Sequence, residues 1–449
     1  MKKVITYGTY DLFHYGHQRL LERAKALGDY LIVGVTSDSF DRIRGKINVQ
    51  QTLMERMEAV KATGIADEVL VEEYEGQKID DILRYDVDVF AIGSDWEGYF
   101  DYLKEYCQVV YLERTAGVSS TGLRSGCGEL RLGVVGNLNL IDKVERECCY
   151  VNGLKIVGAF GVPVSEHEHH DDMESVRYVT SDYNELLNNV DAVYIISPPQ
   201  EHYEQVKTAL IHGKHVLCNS PIAMSTNEWH ELQTLSKAKE CVLMDAICTA
   251  YSMAYYRMLL LLKSGRIGNV VSVDVSCTNM KDTEQIGEGL QKEWDTICSY
   301  GPNAMLPIFQ ILGTSYNQRY VFSHFEDGNK SDGFAQIVFV YPKAVSSIKI
   351  GRGIKTEEEL VISGTTGYIY VPAPWWKMDY FEIRRKDSAQ NKKYFYQFDG
   401  EGIRYELISF LKAIRNGNIQ SNRNINDDVS EAFVRVLEDC IKGEDVISI

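Results

Sequence analysis

The chain has no C-x-x-C pair among its ten cysteines, no internal repeat and no low-complexity tract. No apolar run approaches the roughly 20 residues that a membrane helix needs. Positive charge is scarce, with 47 Lys and Arg against 64 Asp and Glu, a formal net charge of −17. Each deficit excludes something. The acidic balance argues against a general nucleic-acid binder and against an anionic membrane surface. An anionic small substrate would need a local basic pocket built against that field. Cys148 and Cys149 are adjacent, a poor geometry for pairing with each other. The cysteines read as reduced thiols of a cytoplasmic protein, mostly core filler. The opening "MKKVITYGTYDL" reaches polar residues too soon for a signal peptide. "MLLLLKSGRIG" from Met258 is a short helix end.

What is present is an ordinary globular composition, 45 % apolar and 25 % charged, over 449 residues. That length predicts two or three domains. Lys3 to Tyr7, "YLIVGVT", "EVLVEE", "VDVFAIG" and "QVVYLER" read as strands. They alternate with amphipathic stretches such as "HQRLLERAKALG" and "KIDDILRYD", which implies a parallel α/β sheet. A Gly/Ser stretch, "SGCGEL", follows at Ser125 to Leu130, and the alternation restarts with "LRLGVVGNLN". After Asn269 the texture changes to successive period-2 strands with turn residues between them, closed by two amphipathic helices. The expected fold class is α/β, with a Rossmann-like domain over 1–126, a Rossmann dinucleotide-binding-type domain over 130–250, and an α+β domain with a mostly antiparallel sheet over 251–449.

The stretch "GTYDLFHYGH", Gly8 to His17, lies where a strand turns into a helix. A helix N-terminus presents free N–H groups and the positive end of a dipole, which suits phosphate. Gly8 and Gly16 let backbone approach a ligand closely. His14 and His17, three apart, can both face a phosphate as negative charge builds up on it. The alternative for either histidine alone is capping or packing. The stretch resembles the GT(F/Y)D-x-x-H-x-G-H signature of the nucleotidyltransferase family that includes glycerol-3-phosphate and choline-phosphate cytidylyltransferases. "RTAGVSST", Arg114 to Thr121, matches that family's second motif, R-T-x-G-(I/V)-S-(T/S)-T. The resemblance covers residues 1 to 124 and is nearest to the glycerol-3-phosphate branch.

The resemblance implies that CTP binds across the ends of the parallel strands. It makes His14 and His17 the stabilisers of a pentavalent α-phosphorus. Backbone at Thr9 and Tyr10, and Thr115, Ser119, Ser120 and Thr121, would hold phosphates, with Gly93 and Asp95 also at the nucleotide. Lys46 and Arg114 would neutralise the triphosphate, Asp11 would position a metal-bound or nucleotide contact, and Mg²⁺ would bridge phosphate oxygens. The family's GDDW-x-GKFD stands here as "GSDWEGYFD", Gly93 to Asp101, with Ser94 for an acid and Tyr99 for a lysine. Both changes put the acceptor in question. Arg56 is open between a contact to the acceptor phosphate and a solvated helix arginine.

In the second half, "GVVGNLN" (Gly133 to Asn139) sits where a G-x-G-x-x-G fingerprint would lie, and only Gly136 is in place. "DAVYIISPPQEHYEQVKTALIHGKHVLCNSPIAMS" resembles the Gfo/Idh/MocA oxidoreductase family. Ser197, Pro198 and His202 match its (T/S)-P-x-x-x-H pattern. Its G-K-H-V-L-C-E-K-P becomes Asn219, Ser220 and Pro221 at the last three positions, without the usual catalytic lysine. The resemblance implies a NAD(P)H site around Gly133, Gly136, Asn137, Ser197, Pro198, His202, Asn219, Ser220 and Pro221. In "CSYGPNAML", Asn303 and Leu306 stand where the family has histidine and aspartate. Serine cannot replace lysine as a proton donor near neutral pH. Tyr300 and Lys281 are the alternative acids.

"EHEHHDD", with His167, His169 and His170, reads as a polar loop before a metal site. Trp375 and Trp376 read as sheet packing or a subunit contact before a stacking platform. The expectation is a homodimeric cytidylyltransferase acting on CTP and a phosphorylated polyol or sugar, for surface polysaccharide or teichoic acid synthesis. Its oxidoreductase-like half scaffolds or senses. The alternative is a bifunctional cytidylyltransferase and NAD(P)H-dependent reductase.

Overall fold

The computed structural model describes residues 1–43, 49, 51–74, 76–113, 129–136, 138–151, 153–161, 179–280, 295–325, 332–396, 398, 400–415 and 424–448. The chain divides into two compact units, Met1–Glu129 with Val151–Gly153, and Leu130–Tyr150 with Leu154–Ile449.

In the first unit, β1 (Lys3–Gly8), α1 (Tyr15–Lys25), β2 (Tyr30–Thr36), α2 (Asp38–Ile43), α3 (Leu53–Ala62), β3 (Glu68–Glu72), α4 (Gln77–Tyr85), β4 (Val89–Gly93) and β5 (Gln108–Leu112) follow in order. The strands form one parallel sheet in the order β3-β2-β1-β4-β5. Strands covered on both faces read as continuous apolar runs, which is why "YLIVGVT" shows little alternation. Val4, Leu21 and Val33 pack on one face, and Ile5, Tyr7 and Phe90 on the other. The chain leaves β1 toward β2 and later returns to place β4 on the other side. The crevice at the C-terminal ends of β1 and β4 is therefore the switch point at which such sheets bind ligands.

The second unit begins with β6 (Leu130–Val135), α5 (Leu138–Cys148), β7 (Leu154–Phe160), β8 (Val179–Thr180), α6 (Tyr183–Asn189), β9 (Ala192–Ile195), α7 (Pro199–Ile211), β10 (His215–Asn219), α8 (Thr226–Ala238) and β11 (Leu243–Ala246). The sheet order is β11-β10-β9-β6-β7-β8, all parallel, with its switch point between β6 and β9. Gly136 is needed at the end of β6, because a Cβ there would meet Ile196 Cγ1 at 2.5 Å.

Then come α9 (Cys248–Tyr251), α10 (Met253–Lys263), β12 (Val270–Asn279), α11 (Asp295–Leu312), β13 (Gln318–Phe325), β14 (Asp332–Val340), β15 (Val345–Arg352), β16 (Leu360–Gly364), β17 (Tyr368–Val371), β18 (Tyr380–Arg384), β19 (Lys392–Phe395), α12 (Ile403–Arg415), α13 (Asp427–Ile441) and β20 (Val446–Ser448). Nine strands make one sheet in the order β19-β18-β17-β16-β12-β15-β14-β13-β20. It is mostly antiparallel, and the β12/β15 and β13/β20 pairs are parallel. α11 packs on β12, β14 and β15 and against α13. Trp375 is wholly buried and its Nε1–H donates to the Ser276 carbonyl at 3.0 Å, so it belongs to the packing of this sheet. Among the described residues no helix is long and apolar enough to cross a membrane.

Candidate functional site

The switch point of the first unit is built from the loop after β1. His14 is the N-cap of α1, extended at φ −136°. Its Nδ1 accepts the amides of Gly16 at 3.1 Å and His17 at 3.4 Å. Histidine is an unusual cap, because Ser, Thr, Asn and Asp are the common ones. A neutral imidazole that accepts at Nδ1 carries its proton on Nε2. The cap thus leaves a donor on the far side of the ring. His17, one turn into α1, stacks on His14 with ring centroids 3.9 Å apart and planes 14° apart. Tyr10 lies edge-on to His17 at 5.4 Å. Gly8 ends β1 beneath the Tyr10 ring, which a Cβ at Gly8 would meet at 3.0 Å. On the opposite wall Gly93 ends β4 with open space above its Cα. Asp95 is exposed in the turn Ser94–Trp96 that follows.

The other predicted residues divide clearly. Asp11 is 1 % exposed and its Oδ1 accepts the Gln51 amide at 3.0 Å, so the partner seen on that oxygen is backbone. Thr9 is buried, and its hydroxyl donates to Asp41 at 2.7 Å. Lys46, Arg114, Thr115, Ser119, Ser120 and Thr121 lie outside the described residues, as do Asn137, Lys281, His167, His169 and His170.

Arg56 corrects both expectations for it. Its side chain is 0 % exposed, so it is neither solvated nor open to an acceptor phosphate. Nη1 donates to the carbonyls of Thr9 at 2.7 Å and Thr36 at 2.8 Å and faces Asp41 at 3.2 Å. Nε donates to the Gln51 carbonyl at 3.1 Å, and Nη2 pairs with Asp38. The signal for this was the Thr-x-x-Glu of "TLME". Thr52 and Glu55 form a capping box that starts α3 at Leu53 and turns Arg56 inward.

Sequence reasoning also missed a buried polar cluster behind β1. Lys78 pairs with Glu72, both under a tenth exposed, and its Nζ lies 4.7 Å from the Tyr7 ring centre and 5.5 Å from that of Phe100. The Tyr7 hydroxyl donates to Asp81 at 2.8 Å, and burial together with that carboxylate pushes it far above its ordinary range. Tyr99, at the position of the family's lysine, is exposed and packs edge-on to Trp96 at 5.2 Å. Ser94 opens the turn and accepts the Glu97 amide at 3.0 Å.

In the second unit Gly136, Ser197, Pro198, Asn219, Ser220 and Pro221 lie at or just beyond strand ends of the parallel sheet, whereas Gly133, predicted at the cofactor, lies inside β6, where a Cβ would meet Leu186 and Val190 at 3.1 Å. His202 is wholly buried, with its two ring nitrogens 2.7 Å from the Pro221 carbonyl and 2.8 Å from the Ser197 carbonyl. It ties the turn after β9 to the turn after β10. Burial pushes its pKa down while both carbonyls pull it up. Pro198 caps α7, and Asn219 ends β10. Ser220 Oγ donates to Asp245 Oδ1 at 2.7 Å. Thr249 Oγ1 lies 3.2 Å from both Asn303 Oδ1 and the Trp376 carbonyl, and Leu306 is fully buried. Tyr300 is half-buried on α11.

A dinucleotide fits this crevice only in part. The switch point and the Gly136 turn are present. However, α5 already begins at Leu138, where a glycine would let a pyrophosphate reach backbone. Ser220 and Asn303 are each engaged by protein partners. Neither has a titration near neutral pH with which to protonate an alkoxide. Among the described residues no three His, Cys, Asp or Glu side chains are placed to hold a metal ion.

A parallel sheet with a histidine pair at its switch point defines a nucleotidyltransferase architecture. Comparison with known proteins agrees. Residues 5–126 match the cytidylyltransferase-like family model, and residues 130–246 match that of the oxidoreductase family, NAD-binding Rossmann fold. The chain is 51 % identical over 130 residues to glycerol-3-phosphate cytidylyltransferase of Bacillus spizizenii, covering 29 % of this chain and 100 % of that protein. It is 28 % identical over 124 residues to scyllo-inositol 2-dehydrogenase (NADP(+)) IolU of Bacillus subtilis, covering 27 % of this chain and 38 % of that protein. The crystal structure of KijD10, a 3-ketoreductase from Actinomadura kijaniata in complex with NADP, superposes with a TM-score of 0.63 at 15 % identity. That match covers 72 % of this chain and 100 % of the other, and it establishes the fold of the second unit. The chain belongs to the cytidylyltransferase-like family, as a nucleotidyltransferase joined to an oxidoreductase-family domain.

Proposed function

We propose that the chain transfers the cytidylyl group of CTP to a phosphorylated polyol or sugar and releases pyrophosphate. The observation that carries this is the His14–His17 pair, stacked at the N-terminus of α1 and at the switch point of the sheet. In this reading an oxygen of the acceptor phosphate attacks the α-phosphorus of CTP. A new P–O bond forms as the bond to the bridging oxygen of the leaving pyrophosphate breaks. His14 donates from Nε2 to an α-phosphate oxygen as charge accumulates, and His17 supports the same group from one turn along. The α1 amides add the positive end of the dipole. The chemistry is positioning and charge stabilisation, with no covalent enzyme intermediate. Lys46, Arg114, Thr115, Ser119, Ser120 and Thr121 are assigned to the triphosphate by their place in the family motifs. Mg²⁺ bound to CTP would supply screening of the triphosphate charge. Asp11 acts through the loop it holds.

The acceptor is proposed to be a phosphate ester with a polyol or sugar body. Tyr99 offers an aromatic surface where related enzymes carry an ammonium, and such a surface suits the C–H face of a carbon chain. The second unit is proposed to scaffold or to sense a ligand. By the family resemblance Ser220 and Asn303 stand where a reductase carries lysine and histidine, and here they contact Asp245 and Thr249. Pyrophosphate release should be measured with CTP and Mg²⁺ over a panel running from glycerol 3-phosphate to fructose 6-phosphate. Turnover with at least one of them supports the reading. No release with any phosphate, by a folded chain, refutes it.

A further inference from the structure

The loop that delivers His14 holds an improbable backbone. Tyr10 has φ +54° and Leu12 has φ +47°, two non-glycine residues in the left-handed region within three positions. Such conformations persist only where the surroundings over-determine them. Among the described residues, Gln51, 39 positions beyond Leu12, meets this loop at two places. Its Oε1 accepts the Leu12 amide at 2.7 Å. Its own amide donates to Asp11 Oδ1 at 3.0 Å. Its carbonyl accepts Arg56 Nε at 3.1 Å, and the same guanidinium reaches the Thr9 carbonyl at 2.7 Å. Asp11 and Leu12 are therefore bonded to Gln51 directly, and Thr9 is linked to it through Arg56, just before the cap His14.

We propose that Gln51 is a positioning residue for nucleotidyl transfer. It touches no reacting atom. It sets the left-handed loop so that the stacked imidazoles present their outer nitrogens to the phosphate. This rests on the transfer reading above. Loss of the side-chain acceptor frees the Leu12 amide and lets the loop relax toward ordinary backbone. The α1 N-terminus then turns and the imidazoles move with it.

The test is Gln51→Met, which keeps length and volume and removes the acceptor, beside Met54→Ala on the exposed side of the same segment as control. With CTP and the best acceptor of the panel, kcat should fall by about 30- to 100-fold, since small misplacement is that costly to an oriented reaction. KM for CTP should stay within about twofold and the melting temperature within a few degrees. The imidazole ring-proton resonances of His14 and His17 should shift as the stacking changes, and should stay in place in Met54→Ala. A kcat within about threefold of the parent chain would overturn the inference. So would a loss of activity that only follows a collapse in melting temperature, which would make Gln51 purely structural. If the parent chain itself releases no pyrophosphate the transfer reading fails, and unmoved histidine resonances would then overturn the positioning as well.

Discussion

The His14 ring closes the N-terminus of α1 through Nδ1 and lies parallel to the His17 ring at 3.9 Å. One side chain therefore does two things, capping and presenting a donor, and these can be separated. His14→Asn keeps a cap, since an asparagine oxygen accepts the same amides. We expect its melting temperature to stay within a few degrees of the parent and its pyrophosphate release to fall at least about 100-fold. His17→Ala should likewise lose turnover with its fold intact. Near-normal turnover in either variant would remove the pair from the chemistry.

Arg56 is the keystone of the first unit. Arg56→Met leaves Asp41, 2 % exposed, as a buried carboxylate without its cation. Removing one partner of such a pair costs about 3–5 kcal/mol. Urea unfolding of the first unit's transition should show that loss. Adding Asp41→Asn should restore part of it, because the stranded charge is then gone. A loss below about 1 kcal/mol would mean that water reaches the site.

Glu406 on α12 is wholly buried, and the Tyr194 hydroxyl donates to it. Burial raises its pKa from 4.5 to about 7, with Tyr194 and Cys248 pulling in the other direction. The folded state thus keeps a proton that the unfolded chain has released between those two values. Stability falls as pH rises from 4.5 to about 7 and is level above. The contribution reaches about 3 kcal/mol. Glu406→Gln should abolish this slope and melt higher than the parent at pH 8, by thermal unfolding at a series of pH values. A parent chain as stable at pH 8 as at pH 5, after correction by the variant, would contradict it.

Ser220→Ala removes the hydrogen bond to Asp245 and nothing that the transfer reaction uses. Pyrophosphate release should be unchanged. The parent chain should oxidise no NADPH with ketose phosphates or their CDP esters above the rate without enzyme. Measurable oxidation that Ser220→Ala abolishes would make the second unit a working reductase.

Much of the architecture was legible along the chain. "HQRLLERAKALG" placed α1, the apolar strand runs placed both parallel sheets, and the alternation after Asn269 placed the third sheet. These features are local, because a period of 3.6 or 2 is set by residues next to one another. The parallel β12/β15 and β13/β20 pairs were not legible, since pairing partners depend on residues far apart in sequence. Arg56 was misread for a related reason. An arginine in an amphipathic helix is usually solvated, and only the capping box beside it signalled otherwise.

The sequence by itself determined the fold class and the chemical type of the first unit. Gly8, His14, Gly16 and His17 form one contiguous string whose strand-to-helix context is local. It also determined that Lys is missing at Ser220. Only the tertiary structure decided that Arg56 is buried, that Gln51 holds the histidine loop from 39 residues away, and that Ser220 and Asn303 are engaged by Asp245 and Thr249. Each of these joins residues whose meeting is set by the packing of whole elements, and no short-range pattern encodes which donor will find which acceptor once water is gone.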